Sequence, residues 1–167
     1  MLSAITVVLG ATGYGFIPLP ICKATIMHIP VIIGAIIEGP IVGIAIGFIF
    51  GIFSIIQSLI TPNLLSFVFL NPLVSVLPRV LIGVTAYYCY KYSFGNNQML
   101  KIGIGAAIGS LTNTIGVLGM IYLIYASRYA ATEGVTVEVF RNLIFSVAFT
   151  NGIAEAVLAV LISMPVI

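Results

Sequence analysis

The sequence has very few charged residues and contains no aspartate. Charged residues make up 6% of the 167 positions, with 6 Lys or Arg and 4 Glu. Soluble domains are near a quarter charged, because a surface in contact with water must be covered by polar groups. With 61% hydrophobic residues and a mean hydropathy of +1.27, the chain is predicted to be an integral membrane protein.

The motifs of most catalytic sites are missing as well. The chain has 1 histidine, His28, so the HExxH metal motif cannot occur. No GxSxG motif and no phosphate-binding GxxxxGK[ST] motif is present. Cys22 and Cys89 match no metal or redox spacing. A net charge of +2 without a basic run gives no support for nucleic-acid binding. We therefore expect no enzyme activity, no metal, no cofactor and no ATP hydrolysis by this chain.

The hydrophobic residues are divided by glycine, proline and polar residues into six segments. They span about 2–13, 25–37, 41–60, 73–92, 102–125 and 139 to the end. A membrane-crossing helix needs about 20 apolar residues, so the second segment is short unless it is tilted or continued by irregular chain. The sequence predicts an all-α integral membrane protein, a compact bundle of six transmembrane helices forming one domain over 1–167. A five-helix bundle with a re-entrant second segment is the alternative.

The connections between the segments differ in length. Sharp turns are predicted at "EGP" (38–40) and at "SFGNNQ" (93–98), which Lys91 and Lys101 flank. Longer loops are predicted at about 14–24, 61–71 and 126–138. The positive-inside rule favours a cytoplasmic location for the sharp turns and for both termini.

Glycine recurs every four residues in two of the segments. The third segment has Gly39, Gly43, Gly47 and Gly51, and the fifth has Gly105 and Gly109. Small residues at this spacing line one helix face and let helix backbones approach closely in lipid. They indicate either packing within this chain or a docking face for another membrane protein.

Four polar residues interrupt the apolar segments at broadly similar depth. They are Arg79, Asn113, Asn151 and Glu155, from three predicted helices. Burying an arginine in a membrane is costly, so such a residue normally faces the bundle interior with a partner. In a structural interpretation, Arg79 pairs with Glu155 and the asparagines tie helices together. In a functional interpretation, the same groups line a polar pocket, where Arg79 binds a ligand carboxylate in a bidentate way.

Several stretches together resemble the substrate-binding S components of energy-coupling factor (ECF) vitamin transporters. The stretch "HIPVIIGAIIEGPIVGIAIGFIFGIFSIIQ" is similar to their second and third helices, and "NPLVSVLPRVLIGVTAYYCYK" to the fourth. The stretches "GSLTNTIGVLGMIYL" and "TNGIAEAVLAV" are similar to the fifth and sixth. The resemblance covers about 18–161, and it is to the branch usually assigned to pantothenate or hydroxymethylpyrimidine.

The resemblance implies an S component in a bacterial plasma membrane that binds a water-soluble vitamin from outside. Its partners would be a transmembrane coupling subunit and two cytoplasmic ATPase subunits, and toppling of the S component would carry the ligand across. Pantothenate is the first expectation, with hydroxymethylpyrimidine, a pyridoxine-like compound or folate as alternatives. In this family the ligand lies near the outer face, under the loops that join helices one to two, three to four and five to six. The predicted substrate-binding residues are Arg79, Asn113, Asn151, Asn71, Gln57, Lys23 and His28.

Two further expectations concern the docking residues and an alternative function. The Ala-x-x-x-Ala pair that the family uses for docking is not intact, because Ala4 is followed four residues later by Val8. Ala4 and Ala11 are therefore the small residues predicted to dock the coupling subunit. A membrane scaffold without transport activity, held together by an Arg79–Glu155 network, is the alternative function.

Overall fold

The computed structural model describes residues 1–12, 16–18, 23–60, 66–93, 97–133 and 137–167. These residues form the helices α1 (Leu2–Ala11), α2 (Ile29–Glu38), α3 (Pro40–Ile60), α4 (Ser66–Phe69), α5 (Pro72–Ser75), α6 (Leu77–Tyr92), α7 (Gln98–Glu133) and α8 (Val137–Val166). Two short strands, β1 (Phe16–Pro18) and β2 (Lys23–Thr25), lie between α1 and α2.

Four stretches of the described chain are long and apolar enough to cross a membrane. They are Pro40–Ile60, Pro72–Tyr92, Gln98–Ile124 and Ile144–Val166. The first two helices have 10 residues each, which corresponds to about 15 Å and roughly half of a bilayer's hydrocarbon core. The predicted all-α membrane protein with six main helices is confirmed, and the second helix is short as expected.

Helix α2 lies at the centre of the bundle. Its residues from Ile29 to Ile36 are all buried, and it packs against α1, α3, α6, α7 and α8. The helix begins at Ile29 rather than near residue 25, because Pro30 favours the first turn of a helix. It ends at Glu38, and the φ of 101° at the following Gly39 permits the predicted sharp turn into α3.

The connection between α1 and α2 contains a small antiparallel ribbon that the sequence did not predict. Phe16 pairs with Thr25, Ile17 with Ala24 and Pro18 with Lys23. The rest of the predicted loop, 14–15 and 19–22, lies outside the described residues. The ribbon brings the backbone of Thr25 to the edge of the bundle core.

Two of the predicted loops are partly helical. The prediction of a loop at 126–138 is wrong for its first part, because α7 continues to Glu133. Alanines at 126, 130 and 131 are strong helix formers, so the polar residues there do not end the helix. In the loop expected at 61–71, Ser66–Phe69 form a helical turn, and residues 61–65 lie outside the described residues.

The glycines of α3 form the contact with α6, which we call the glycine seam (Gly43, Gly47, Gly51 and Gly83). A Cβ atom on Gly47 would overlap the backbone carbonyl of Arg79, and Gly43 and Gly83 lie against each other. Gly105 and Gly109 likewise leave room for Ala86 and Ile32. Packing within the chain, one of the two interpretations of these stripes, is therefore confirmed for these positions.

Candidate ligand-binding site

Arg79 is buried at the start of α6, with 6% of its surface exposed. Pro78 precedes it in the first helical turn, where the fixed φ of proline is favourable. The guanidinium donates through Nη1 to the carbonyl of Val74 at 2.8 Å and through Nη2 to Ser54 Oγ at 3.5 Å. Its Nε has no hydrogen-bond partner among the described residues. One donor of a buried cation is therefore unused.

Two aromatic rings enclose the same guanidinium. Its central carbon lies 5.4 Å from the ring centre of Phe50 and 5.5 Å from that of Phe69. A cation–π contact stabilises a desolvated cation by about 2 kcal/mol. The absence of a side chain on Gly47 lets α3 approach the backbone of Arg79. Within the described residues, the guanidinium is therefore held in place without a carboxylate partner.

Glu155 on α8 is buried as well, with 5% of its surface exposed. Its Oε1 accepts a hydrogen bond from the backbone N–H of Thr25 at 2.8 Å, and its Oε2 accepts one from Thr114 Oγ1 at 3.0 Å. The carboxylate thus links α8 to the ribbon and to α7. This was not predicted, since the sequence cannot show that a backbone amide is the partner.

The predicted ion pair between Arg79 and Glu155 is not formed in the described part of the chain. Each group is held by other partners, Arg79 by Val74 and Ser54 and Glu155 by Thr25 and Thr114. The physical reason is that α5 and the ribbon offer backbone groups nearer to each side chain than the other side chain is.

His28 lies at the N-terminus of α2 and is completely buried. Neither ring nitrogen makes a hydrogen bond of regular geometry with a described residue, although the ring lies close to the backbone of Thr25. A neutral imidazole carries one donor and one acceptor. His28 therefore adds a buried donor and a buried acceptor beside the ribbon.

Asn113 and Asn151 come from α7 and α8, and each has 6% of its surface exposed. The Oδ1 of Asn113 is buried without a partner among the described residues. Asn113 precedes the Thr114 that binds Glu155, and Asn151 lies one turn before Glu155. No hydrogen bond between the two asparagines is found in the described chain, and the idea that each ties helices together stays a prediction.

We call Arg79, His28, Asn113, Asn151 and Glu155 the polar cluster. Its buried atoms that make no hydrogen bond of regular geometry with a described residue include the Nε of Arg79, the ring nitrogens of His28 and the Oδ1 of Asn113. An unsatisfied buried polar group costs about 1–3 kcal/mol, so such groups are rare unless a ligand or water completes them. Chemically, this arrangement can bind an anion and hydrogen-bond to neighbouring polar groups.

The other predicted binding residues are Asn71, Gln57 and Lys23. Asn71 caps α5 by accepting from the N–H of Leu73 at 3.1 Å, and Gln57 is half-buried on α3. Lys23 lies in β2, and its side chain is outside the described part. Of the predicted docking residues, Ala4 and Ala11 are both exposed on α1.

Sequence reasoning missed several residues that build the site. Ser54, Phe50 and Phe69 surround Arg79, while Thr25 and Thr114 hold Glu155. The hydroxyl of Thr114 had a signal, because it follows Asn113 in an otherwise apolar segment. The aromatic residues had none, since phenylalanine is common throughout this sequence.

The fold and the buried cluster together describe a multi-pass membrane protein with polar groups in its interior. A family model described as "ECF transporter, substrate-specific component" matches residues 1–167. The chain therefore belongs to the substrate-specific components of ECF transporters, which are transport subunits and not enzymes.

Two curated relatives cover most of the chain. A protein of Lactococcus lactis subsp. cremoris named "Pantothenic acid transporter PanT" is 29% identical over 164 residues, covering 90% of this chain and 78% of the relative. A protein of Leuconostoc mesenteroides subsp. mesenteroides named "Pantothenate transporter PanT" is 24% identical over 157 residues, covering 89% and 77%.

Proposed function

We propose that this chain is the pantothenate-binding subunit of an ECF transporter. The observation that carries the proposal is the buried guanidinium of Arg79, which has no carboxylate partner within the described chain and keeps an unused Nε donor. Pantothenate supplies a carboxylate, and both relatives described above are named for transporting it. A buried charged hydrogen bond of this kind contributes about 1.5–3 kcal/mol.

The remaining polar groups of pantothenate match the rest of the polar cluster. Pantothenate carries an amide and hydroxyl groups beside its carboxylate. Asn113 offers an amide oxygen for a hydroxyl or N–H donor, Asn151 offers a second amide, and His28 offers a donor and an acceptor. Asn71, Gln57 and Lys23, which come from the same end of the bundle, are proposed to close the mouth of the site.

The proposal includes the membrane setting and the partners. We propose a single domain in a bacterial plasma membrane, with the polar cluster toward the outside and both termini in the cytoplasm. A transmembrane coupling subunit and two ATPase subunits would complete the transporter, because this chain has no nucleotide-binding motif. The exposed alanines Ala4 and Ala11 lie on one side of α1 with Val8 and are the proposed docking residues.

A matched pair of ligands tests the substrate. Purified protein in detergent is heated with pantothenate, with pantothenol, and with hydroxymethylpyrimidine, pyridoxine or folate. A ligand that binds only the native state raises the melting temperature by mass action. Pantothenate should stabilise the protein, whereas pantothenol, in which an alcohol replaces the carboxylate, should not. Equal stabilisation by both would contradict carboxylate recognition, and a hit with another vitamin alone would reassign the substrate.

A further inference from the structure

Tyrosine and lysine residues are concentrated where α6 ends and α7 begins. Tyr88 and Tyr92 are 45% and 69% exposed, and their rings stack at 6.0 Å between centroids with 8° between planes. Tyr88 also meets Tyr87 edge to face at 5.5 Å. Lys91 lies over the ring of Tyr87, with Nζ 5.7 Å from its centre. These rings form a rigid, exposed aromatic surface.

A shallow groove runs along this surface between α6 and α7. It is lined by Tyr88, Cys89, Tyr92, Ser93, Ile104 and Ile108, and its wall is mostly apolar. The Oγ atom of Ser93 is buried in it without a hydrogen-bond partner among the described residues. We call this surface the tyrosine groove. It shares helix α6 with Arg79 and helix α7 with Asn113, but none of its lining residues belongs to the polar cluster.

The charge around the tyrosine groove is positive. Lys91 is exposed in the last turn of α6, and Lys101 lies one turn before Ile104, on the same face of α7. Helix α6 contains no acidic residue, and α7 has none in its first turn. Both helices belong to stretches that can cross a membrane, so these lysines lie where such helices meet water.

The surroundings of the tyrosine groove determine which partner suits it. A groove between the outer faces of two membrane-crossing helices opens onto acyl chains. Tyrosine is enriched at the level of lipid headgroups, and each lysine near the membrane surface attracts anionic lipid. The Ser93 hydroxyl, which has no partner among the described residues, adds a donor for an ester or phosphate oxygen at that depth.

We propose that the tyrosine groove binds an anionic phospholipid. One acyl chain lies along Ile104 and Ile108, Tyr88 and Tyr92 flank the glycerol region, and the phosphate lies between Lys91 and Lys101 with Ser93 donating to the lipid. This inference is independent of the substrate that the polar cluster binds. A helix of the coupling subunit is the competing occupant, and the positive charge beside the groove favours the lipid.

The test measures which lipids the purified full-length chain retains. Nanodiscs are made with equal amounts of phosphatidylglycerol and phosphatidylcholine, and the lipids released with the protein are counted by native mass spectrometry. Retention should favour phosphatidylglycerol in the wild type. In the double variant Lys91→Gln/Lys101→Gln, the ratio of retained phosphatidylglycerol to phosphatidylcholine should fall about tenfold. The matched control is Arg141→Gln, an exposed cation near the start of α8, which should retain the wild-type preference.

A second variant tests the apolar part of the tyrosine groove. Cys89→Phe fills the groove without changing its charge, so it should lower retention of both lipids while ligand-free melting is kept. Equal retention of the two lipids by the wild type overturns the proposal. A double variant that keeps its lipid preference also overturns the proposal. A double variant that loses only its association with the coupling subunit overturns it as well, because the groove would then be assigned to a protein partner.

Discussion

The glycine seam and the polar cluster meet at Arg79. They differ in how many of their buried atoms have a packing or hydrogen-bond partner. In the seam, the backbones of α3 and α6 touch, and a single added Cβ atom at Gly43 or Gly47 would overlap its neighbours. In the polar cluster, the oxygen of Asn113 and the Nε of Arg79 have no partner in the described chain. The seam glycines are therefore covered by their neighbours, whereas the described part of the cluster keeps buried polar atoms without partners. We expect the seam to supply rigidity and the cluster, as proposed above, to supply binding capacity.

The largest effect is expected for Gly47→Val, which places a side chain against the carbonyl of Arg79. Because backbone cannot move aside as a flexible side chain can, α3 and α6 should separate, at a cost of about 3 kcal/mol or more. The melting temperature of the purified protein measures this. The control is Gly119→Val, because a Cβ atom added to Gly119 would have no neighbour within 4 Å among the described residues. Similar melting temperatures for the two variants would show that the seam is looser than described.

The next effect is expected for Arg79→Ala, which removes the cation from the polar cluster. Affinity for pantothenate should fall more than tenfold, equivalent to about 1.4 kcal/mol, as measured by titration calorimetry. Arg79→Lys keeps the charge but loses the planar fork and should recover only part of the affinity. Wild-type affinity in a folded Arg79→Ala protein would remove Arg79 from the binding site.

A smaller effect on binding, with none on stability, is expected for Asn113→Leu. The variant removes an amide oxygen that has no partner in the described protein, so ligand-free melting should be unchanged or raised. Affinity for pantothenate should fall about three- to tenfold, as for one lost neutral hydrogen bond. The neighbouring Thr112→Val variant is the control, because the Thr112 hydroxyl bonds to the carbonyl of Ile108 in its own helix. A destabilised Asn113→Leu protein that binds normally would make Asn113 a structural residue.

The smallest effect is expected for Glu155→Gln. The amide oxygen can still accept from the N–H of Thr25, and its NH₂ group can donate to Thr114, so stability should fall by less than about 1 kcal/mol. Glu155→Leu leaves the Thr25 N–H without an acceptor and should cost about 1–3 kcal/mol. Thermal melting separates the two. If both variants lose the same stability, the negative charge itself is required, and the scaffold hypothesis gains support.

The sequence predicted the seam better than the cluster, and the reason lies in the kind of partner involved. A glycine every fourth residue maps onto one face of α3 whatever the neighbouring helix is. The partners of Arg79 and Glu155 are largely backbone groups, the carbonyl of Val74 and the N–H of Thr25. Every residue has such groups, so no sequence pattern marks them. The sequence therefore showed which side chains are polar in an apolar setting, but it could not show what holds them.

The ends of the helices show which residues in a sequence mark the end of a helix. The sharp turn at Gly39 was predicted from glycine and proline, and its φ of 101° bears this out. The end of α7 was misplaced because polarity was taken for a break in the helix. Polar residues show where a helix leaves the hydrocarbon, whereas its end depends on glycine, proline and capping groups.

The shortness of α2 has a consequence for the order in which the protein assembles. Its 10 residues cover only about 15 Å, and in the finished bundle protein surrounds it on all sides. Of these neighbours, a nascent α2 has only the equally short α1, and lipid around it leaves its ends too far from water. We therefore expect α2 to enter the membrane together with α3, as one hairpin turned at Gly39, and to gain its final packing only after α6, α7 and α8 have been synthesised. The centre of the folded protein would then be among the last of its parts to become stable.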